Sequence, residues 1–140
     1  MDDRRPILLV EDNPMDVDLM RRAFAKRHII NVLEVARDGE EALDWIARWE
    51  TGHPAPVVIL LDLKLPRVSG LEVLRQLKAH ADYCRIPVVV LTTSHEDADV
   101  AAAYALGVNS YIVKPVEFEK FVDVAARIDL YWCVLNQQSI

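Results

Sequence analysis

Residues 57–70 read Val57-Val58-Ile59-Leu60-Leu61-Asp62-Leu63-Lys64-Leu65-Pro66-Arg67-Val68-Ser69-Gly70, and this stretch decides the fold. Five consecutive apolar residues with no polar alternation suit a strand covered on both faces, which is the environment of a parallel sheet between helices. An acid, Asp62, closes the run, and a turn rich in breakers separates it from the helical spacing of Leu71, Leu74 and Leu77 after Ser69-Gly70.

Working outward, similar short apolar runs recur at Ile7–Val10, Val32–Val35, Val88–Leu91 and Tyr111–Val113, with helical spacing between them. The β/α alternation therefore repeats five times, which predicts an α/β fold with a doubly wound five-stranded parallel sheet and helices on both faces. A first helix is expected from the N-cap Asn13 with Pro14 at N1, burying Val17, Met20 and Phe24. A second follows Asp38-Gly39 and buries Ala42, Ile46 and Trp49, leaving Trp45 and Trp49 as packing residues. A fourth, from about Ala98 to Leu106, is Ala-rich and weakly amphipathic, so it is expected to be the least firmly anchored. The last places Phe118, Phe121, Ala125 and Ile128 on one stripe and runs into the apolar stretch Leu130–Leu135.

At 140 residues, 52% hydrophobic and 27% charged, the composition is that of one soluble domain spanning 1–140, with a core of about 6–130 and an apolar extension over 131–140. No apolar run approaches the roughly 20 residues of a membrane span, and the first residues lack a signal-peptide pattern, so a cytoplasmic location is expected. Cys84 and Cys133 have no metal-ligand spacing and read as two unpaired thiols. A net charge of −6 gives no electrostatic reason to bind nucleic acid. The local cluster Arg21, Arg22, Lys26 and Arg27 reads first as a solvated helix face and second as a docking patch. The four histidines show no ligand spacing and are expected to face solvent.

Ligands of open α/β sheets bind beyond the carboxyl ends of the strands. Those ends carry Glu11 and Asp12, Asp62, Thr92 and Thr93, and Lys114-Pro115. Three carboxylates within about 4 Å repel by roughly 4 kcal/mol per pair at an effective dielectric near 20, so they call for a cation or a proton. Mg²⁺, a hard ion that takes oxygen ligands and bridges carboxylates to phosphate, fits this set, and Mn²⁺ can substitute. Glu11, Asp12 and Asp62 carry −3, which Mg²⁺ and Lys114 balance.

The blocks ILLVEDNP, VVILLDLKLPRVSG, PVVVLTTS and GVNSYIVKPV, each at the end of an expected strand, resemble the signature blocks of response-regulator receiver domains over about residues 6–130. The resemblance implies a flavodoxin-like sheet of order 2-1-3-4-5. It makes Asp62 the phosphoryl acceptor, Asp12 a direct Mg²⁺ ligand, Glu11 a ligand through water and Lys64 a ligand through its carbonyl. It gives Thr92 to the phosphoryl oxygen and Lys114 to Asp62 and then its phosphate. It also implies a cis peptide before Pro115 and an aromatic switch in which Tyr111 pairs with the Thr92 hydroxyl. Such a protein is a phosphoacceptor and no enzyme in its own right, although it assists its own phosphorylation and dephosphorylation. Thr93 and Ser94 are expected in an exposed loop beside the phosphate pocket.

VEDNPMD, the ETGHPAP loop and the terminal Tyr131-Trp132 further resemble single-domain regulators that accompany phytochrome-type histidine kinases, which implies such a sensor kinase as partner. A last helix apolar on nearly every face past Ile128 cannot bury all of it on its own sheet, so a homodimer through the last helix and fifth strand is expected. Two competing functions remain. A dehalogenase-like phosphatase also places an Asp nucleophile at a strand end, but it needs a second Asp two positions on, where this chain has Lys64. A phosphate-independent docking module would need none of the acceptor-site residues, and all are present.

Overall fold

The computed structural model describes residues 5–115 and 117–134, with the side chains of 133 and 134 outside the description. Five parallel strands, β1 (Ile7–Val10), β2 (Leu33–Ala36), β3 (Val58–Leu61), β4 (Val88–Thr92) and β5 (Ser110–Val113), form one sheet in the order β2-β1-β3-β4-β5. Between and after them run α1 (Pro14–Lys26), α2 (Gly39–Glu50), α3 (Gly70–Ala79), α4 (Asp97–Ala105) and α5 (Phe118–Ile128), followed by a π-helical segment, Asp129–Val134. The fold is the expected flavodoxin-like one, and each strand's bounds lie within a residue of the expectation, whereas the last helix, expected to continue past Ile128, gives way there to the π-helical segment.

Alternation of strand side chains sorts the core into two layers. On one face Ile7, Leu9, Val58 and Leu60 meet Met20 and Phe24 of α1 and Phe121 and Val124 of α5. On the other, Leu8, Val10, Ile59 and Leu61 meet Ala42, Ile46 and Trp49 of α2 and Val73, Leu74 and Leu77 of α3. Strands β1, β3 and β4 are buried along their whole length, whereas the edge strands β2 and β5 are largely half-exposed.

Helix starts follow local chemistry. Asn13 caps α1 by accepting the Met15 N–H, Asp38 caps α2 through Glu41 N–H, and Ser69 caps α3 through Glu72 N–H. Helix α4 lacks a side-chain cap at Glu96 and buries only Ala103, in keeping with its weak amphipathic pattern.

Four expectations are corrected. No cis peptide occurs among the described residues, so the bond before Pro115 is trans. Ser94 is buried, because its hydroxyl is taken up by Asp99 while Thr93 beside it stays exposed. His53 and His80 are half-buried, and each bonds a carboxylate: His53 Nε2 lies 2.7 Å from Glu34 and His80 Nε2 lies 2.7 Å from Glu50. Tyr111 donates to the Ser94 carbonyl at 2.8 Å, since the Thr92 hydroxyl is turned to Asp62. Leu130 and Tyr131 are about half-exposed, while Trp132 packs onto the core layer of α1 and α5. Leu135, the last of the expected apolar stretch, lies outside the described residues. No helix among the described residues is long and apolar enough to cross a membrane.

Candidate phosphoryl-acceptor and metal site

Because all strands run in one direction, β1, β3, β4 and β5 deliver their last residues to a single edge of the sheet. Backbone bonds fix those ends: Glu11 N–H donates to Ala36 O at 2.9 Å, Asp62 N–H to Val10 O at 3.0 Å, and Lys114 N–H to Thr92 O at 2.6 Å. Glu11, Asp12, Asp62, Thr92 and Lys114 thus come together as expected, although they lie far apart in the chain.

At the centre, the almost fully buried Lys114 ammonium donates to Glu11 Oε1 at 2.6 Å, Asp16 Oδ2 at 2.8 Å and Asp62 Oδ2 at 3.2 Å. Asp62 Oδ1 accepts from the Thr92 hydroxyl at 2.7 Å and from the Lys64 N–H at 3.1 Å. Both acceptor oxygens are therefore held by donors from other strand ends, which fixes the carboxylate rotamer. Gly70, the first residue of α3, packs so closely here that an added Cβ would lie 2.2 Å from Asp62 O and 2.6 Å from Leu63 Cα. Only glycine lets α3 start so near the acceptor.

Sequence reasoning missed Asp16 as a partner of Lys114. It sits at the third position of α1, where an acid is already accounted for by the helix N-terminus, so nothing in its spacing signals a second task. It also changes the charge count. Glu11, Asp12, Asp16 and Asp62 give −4; adding Lys114 and a divalent ion gives −4 + 3 = −1 in place of neutrality.

Burial pushes the Glu11 carboxyl up to about 7; bonds from Lys114 and the Asn13 N–H oppose the shift and the nearby Asp62 adds to it. Lys114 moves the other way for a buried amine: burial favours loss of its proton, but the bonds to Asp16 and Glu11 and the attraction of Asp62 outweigh it and hold the pKa above the ordinary lysine value.

One oxygen each from Glu11, Asp12 and Asp62 lies within 4.8 Å of the others. An all-oxygen set of carboxylates, with Asp12 exposed to solvent, fits a hard divalent cation that keeps part of its water shell. The Lys64 carbonyl, implied as a further ligand, belongs to the residue whose N–H already points at Asp62.

A family model described as the response regulator receiver domain matches residues 7–126. The chain is 45% identical over 132 residues to the probable methanogenesis regulatory protein FilR2 of Methanothrix harundinacea, covering 94% of this chain and 85% of that one. It is 40% identical over 128 residues to the response regulator Rcp1 of Synechocystis sp., covering 90% and 87%. It superposes on the phosphorylated cyanobacterial phytochrome response regulator RcpA with a TM-score of 0.87 at 35% identity, covering 94% and 96%. On the Mn²⁺-bound form of Rcp1 the TM-score is 0.84 at 38% identity, with 94% and 96% covered.

Proposed function

The chain belongs to the response-regulator receiver-domain family, and on that premise we propose that Asp62 accepts a phosphoryl group from the phosphohistidine of a sensor kinase. An Asp62 carboxylate oxygen forms a bond to phosphorus in line with the breaking phosphorus–nitrogen bond, whose electron pair stays on the donor imidazole. The observation that carries this is the buried Asp62 carboxylate held on both oxygens by Lys114, Thr92 and the Lys64 N–H. Positioning and charge neutralisation are most of what phosphoryl transfer asks of a protein.

Glu11, Asp12, Asp62 and the Lys64 carbonyl hold Mg²⁺ in this reading, with Mn²⁺ able to replace it. The ion supplies charge neutralisation at the transferring oxygens. Lys114 follows the negative charge from the Asp62 carboxylate to the phosphoryl oxygens, and the Thr92 hydroxyl turns from Asp62 to the same group. Movement of Thr92 opens space beside Tyr111, whose bond to the Ser94 carbonyl marks one of its two positions. The protein thereby assists its own modification and its reversal while having no separate substrate.

The sensor we propose is a phytochrome-type histidine kinase in the cytoplasm, supported by the likeness to RcpA and by the resemblance carried in residues 10–16 and 50–56. The chain acts as one receiver unit over 1–140, with its core at about 6–130. The chain forms a homodimer through α5 and β5, and output passes through protein contacts. Half-exposed Val113, Leu130 and Tyr131 support that face, and a groove of about 340 Å³ between Ile112, Arg127 and Trp132 adjoins it. Light scattering at micromolar concentration is expected to give twice the chain mass, and a strictly monomeric protein would contradict the dimer.

Phosphotransfer tests the function itself. Label on an autophosphorylated phytochrome-type kinase is expected to move to the wild-type chain and not to Asp62→Ala. Faster transfer from a kinase of another sensory class would overturn the pathway assignment, and no transfer from any kinase would overturn the acceptor reading.

A further inference from the structure

Lys114 offers three N–H donors and meets three carboxylates, but its partners are not equivalent. Glu11 and Asp62 belong, with Asp12, to the described residues whose oxygens converge closely enough to share a cation, and Asp16 does not. A divalent ion therefore competes with Lys114 for the contacts at 2.6 Å to Glu11 and 3.2 Å to Asp62, and leaves the 2.8 Å contact to Asp16 alone.

Asp16 is free for this contact because its usual local partner is taken. An acid at the third helical position ordinarily reaches back to the N-cap N–H. In α1 the Asn13 N–H donates to Glu11 Oε2 at 3.1 Å, while the Asn13 side chain accepts from the Met15 N–H at 2.9 Å. Asp16 turns across the sheet edge instead, to a lysine 98 residues away in the chain. Burial alone would drive Lys114 to shed its proton, and the bond to Asp16 is the largest influence that opposes it.

We propose that Asp16 is a positioning residue for phosphoryl transfer: it keeps hold of the Lys114 ammonium while Glu11 and Asp62 turn to a divalent ion, and it competes with the phosphoryl oxygens for that ammonium afterwards. The inference rests on Asp62 being the acceptor. Two consequences of opposite sign follow from the one side chain. Its negative charge beside the carboxylates favours the divalent ion, and its grip on Lys114 disfavours the anionic phosphoryl group, so the unmodified, metal-loaded state is preferred.

Asp16→Asn removes the charge while keeping the shape, and Asp16→Ser stands in should the first variant fail to fold. Asp18→Asn removes an equal charge from an exposed site on the same helix, where Asp18 pairs with Arg22 at 3.6 Å. Calorimetry gives two dissociation constants for each protein: one for Mg²⁺ alone, and one for fluoroberyllate at saturating Mg²⁺. The Asp16 variants are expected to bind Mg²⁺ about fivefold more weakly and fluoroberyllate about fivefold more tightly, the size of one net hydrogen bond, with Asp18→Asn within twofold of wild type in both. A merely structural role would weaken both ligands together, and that result would overturn the proposal. So would unchanged constants in the Asp16 variants, or the same pair of shifts in Asp18→Asn, which would assign the effect to the general field of the helix. A folded wild-type protein that binds Mg²⁺ but no fluoroberyllate would overturn the acceptor reading and the proposal with it.

Discussion

Replacing Lys114 with methionine keeps the length of the side chain and removes an ammonium that touches three carboxylates. At separations of 2.6 to 3.2 Å each contact is worth about 5–6 kcal/mol of attraction at an effective dielectric near 20, most of it offset by desolvation of the buried groups. Removing one partner of a buried pair leaves the desolvation uncompensated, so the expected loss for the metal-free protein near pH 8 is about 3–5 kcal/mol. The loss depends on pH in a defined direction. Glu11 already titrates near 7 with Lys114 present, and without that cation its proton is held more tightly. Below this range Glu11 is neutral and the repulsion is relieved, so the gap between wild type and Lys114→Met widens as pH rises from about 5.5 to about 8. Mg²⁺ replaces part of the missing positive charge and narrows the gap. Urea unfolding at the two pH values, each with chelator and with Mg²⁺, measures all three effects. A gap below about 1 kcal/mol at both pH values, the scale of an exposed ion pair, would refute the view that Lys114 is the counter-ion of this cluster.

Two further perturbations address the same edge of the sheet. In the metal-free protein Glu11 binds more protons folded than unfolded between its ordinary pKa of 4.5 and about 7, so its contribution to stability falls by about 3 kcal/mol as pH rises through that window; Glu11→Gln is expected to abolish that slope in urea titrations, and an unchanged slope would contradict its assignment. Gly70→Ala puts a methyl against the Asp62 carbonyl and Leu63 Cα, so a loss of about 1–3 kcal/mol with slower phosphorylation is expected, whereas Gly52→Ala, where nothing lies within 4 Å of the added carbon, strains only its own backbone and leaves the phosphorylation rate alone.

The frame of the molecule was readable because its signals are local and periodic. Val58–Leu61 and Val88–Leu91 have no polar alternation, so they had to be central parallel strands, and the residue after each run then had to emerge at the ligand edge. Asn13-Pro14, Asp38-Gly39 and Ser69-Gly70 announced three helix starts through capping chemistry that needs no tertiary partner. What stayed hidden depends on side chains from distant elements. His53, a loop residue, looked solvent-facing because its partner, Glu34, lies on the edge strand β2, brought beside it only by the sheet. Asp16 was concealed by a sufficient local explanation. Ser94 and Asp99 are five residues apart, and nothing in their spacing says that the intervening turn folds one onto the other.

The most direct test of the central claim is intact-protein mass spectrometry after incubation with acetyl phosphate and Mg²⁺, with Asp62→Ala beside the wild type. One phosphoryl adduct on the wild type, lost when Mg²⁺ is chelated and absent from Asp62→Ala, is the result expected of this site. A folded wild-type protein that takes no adduct, or an Asp62→Ala variant that takes one equally well, would contradict it.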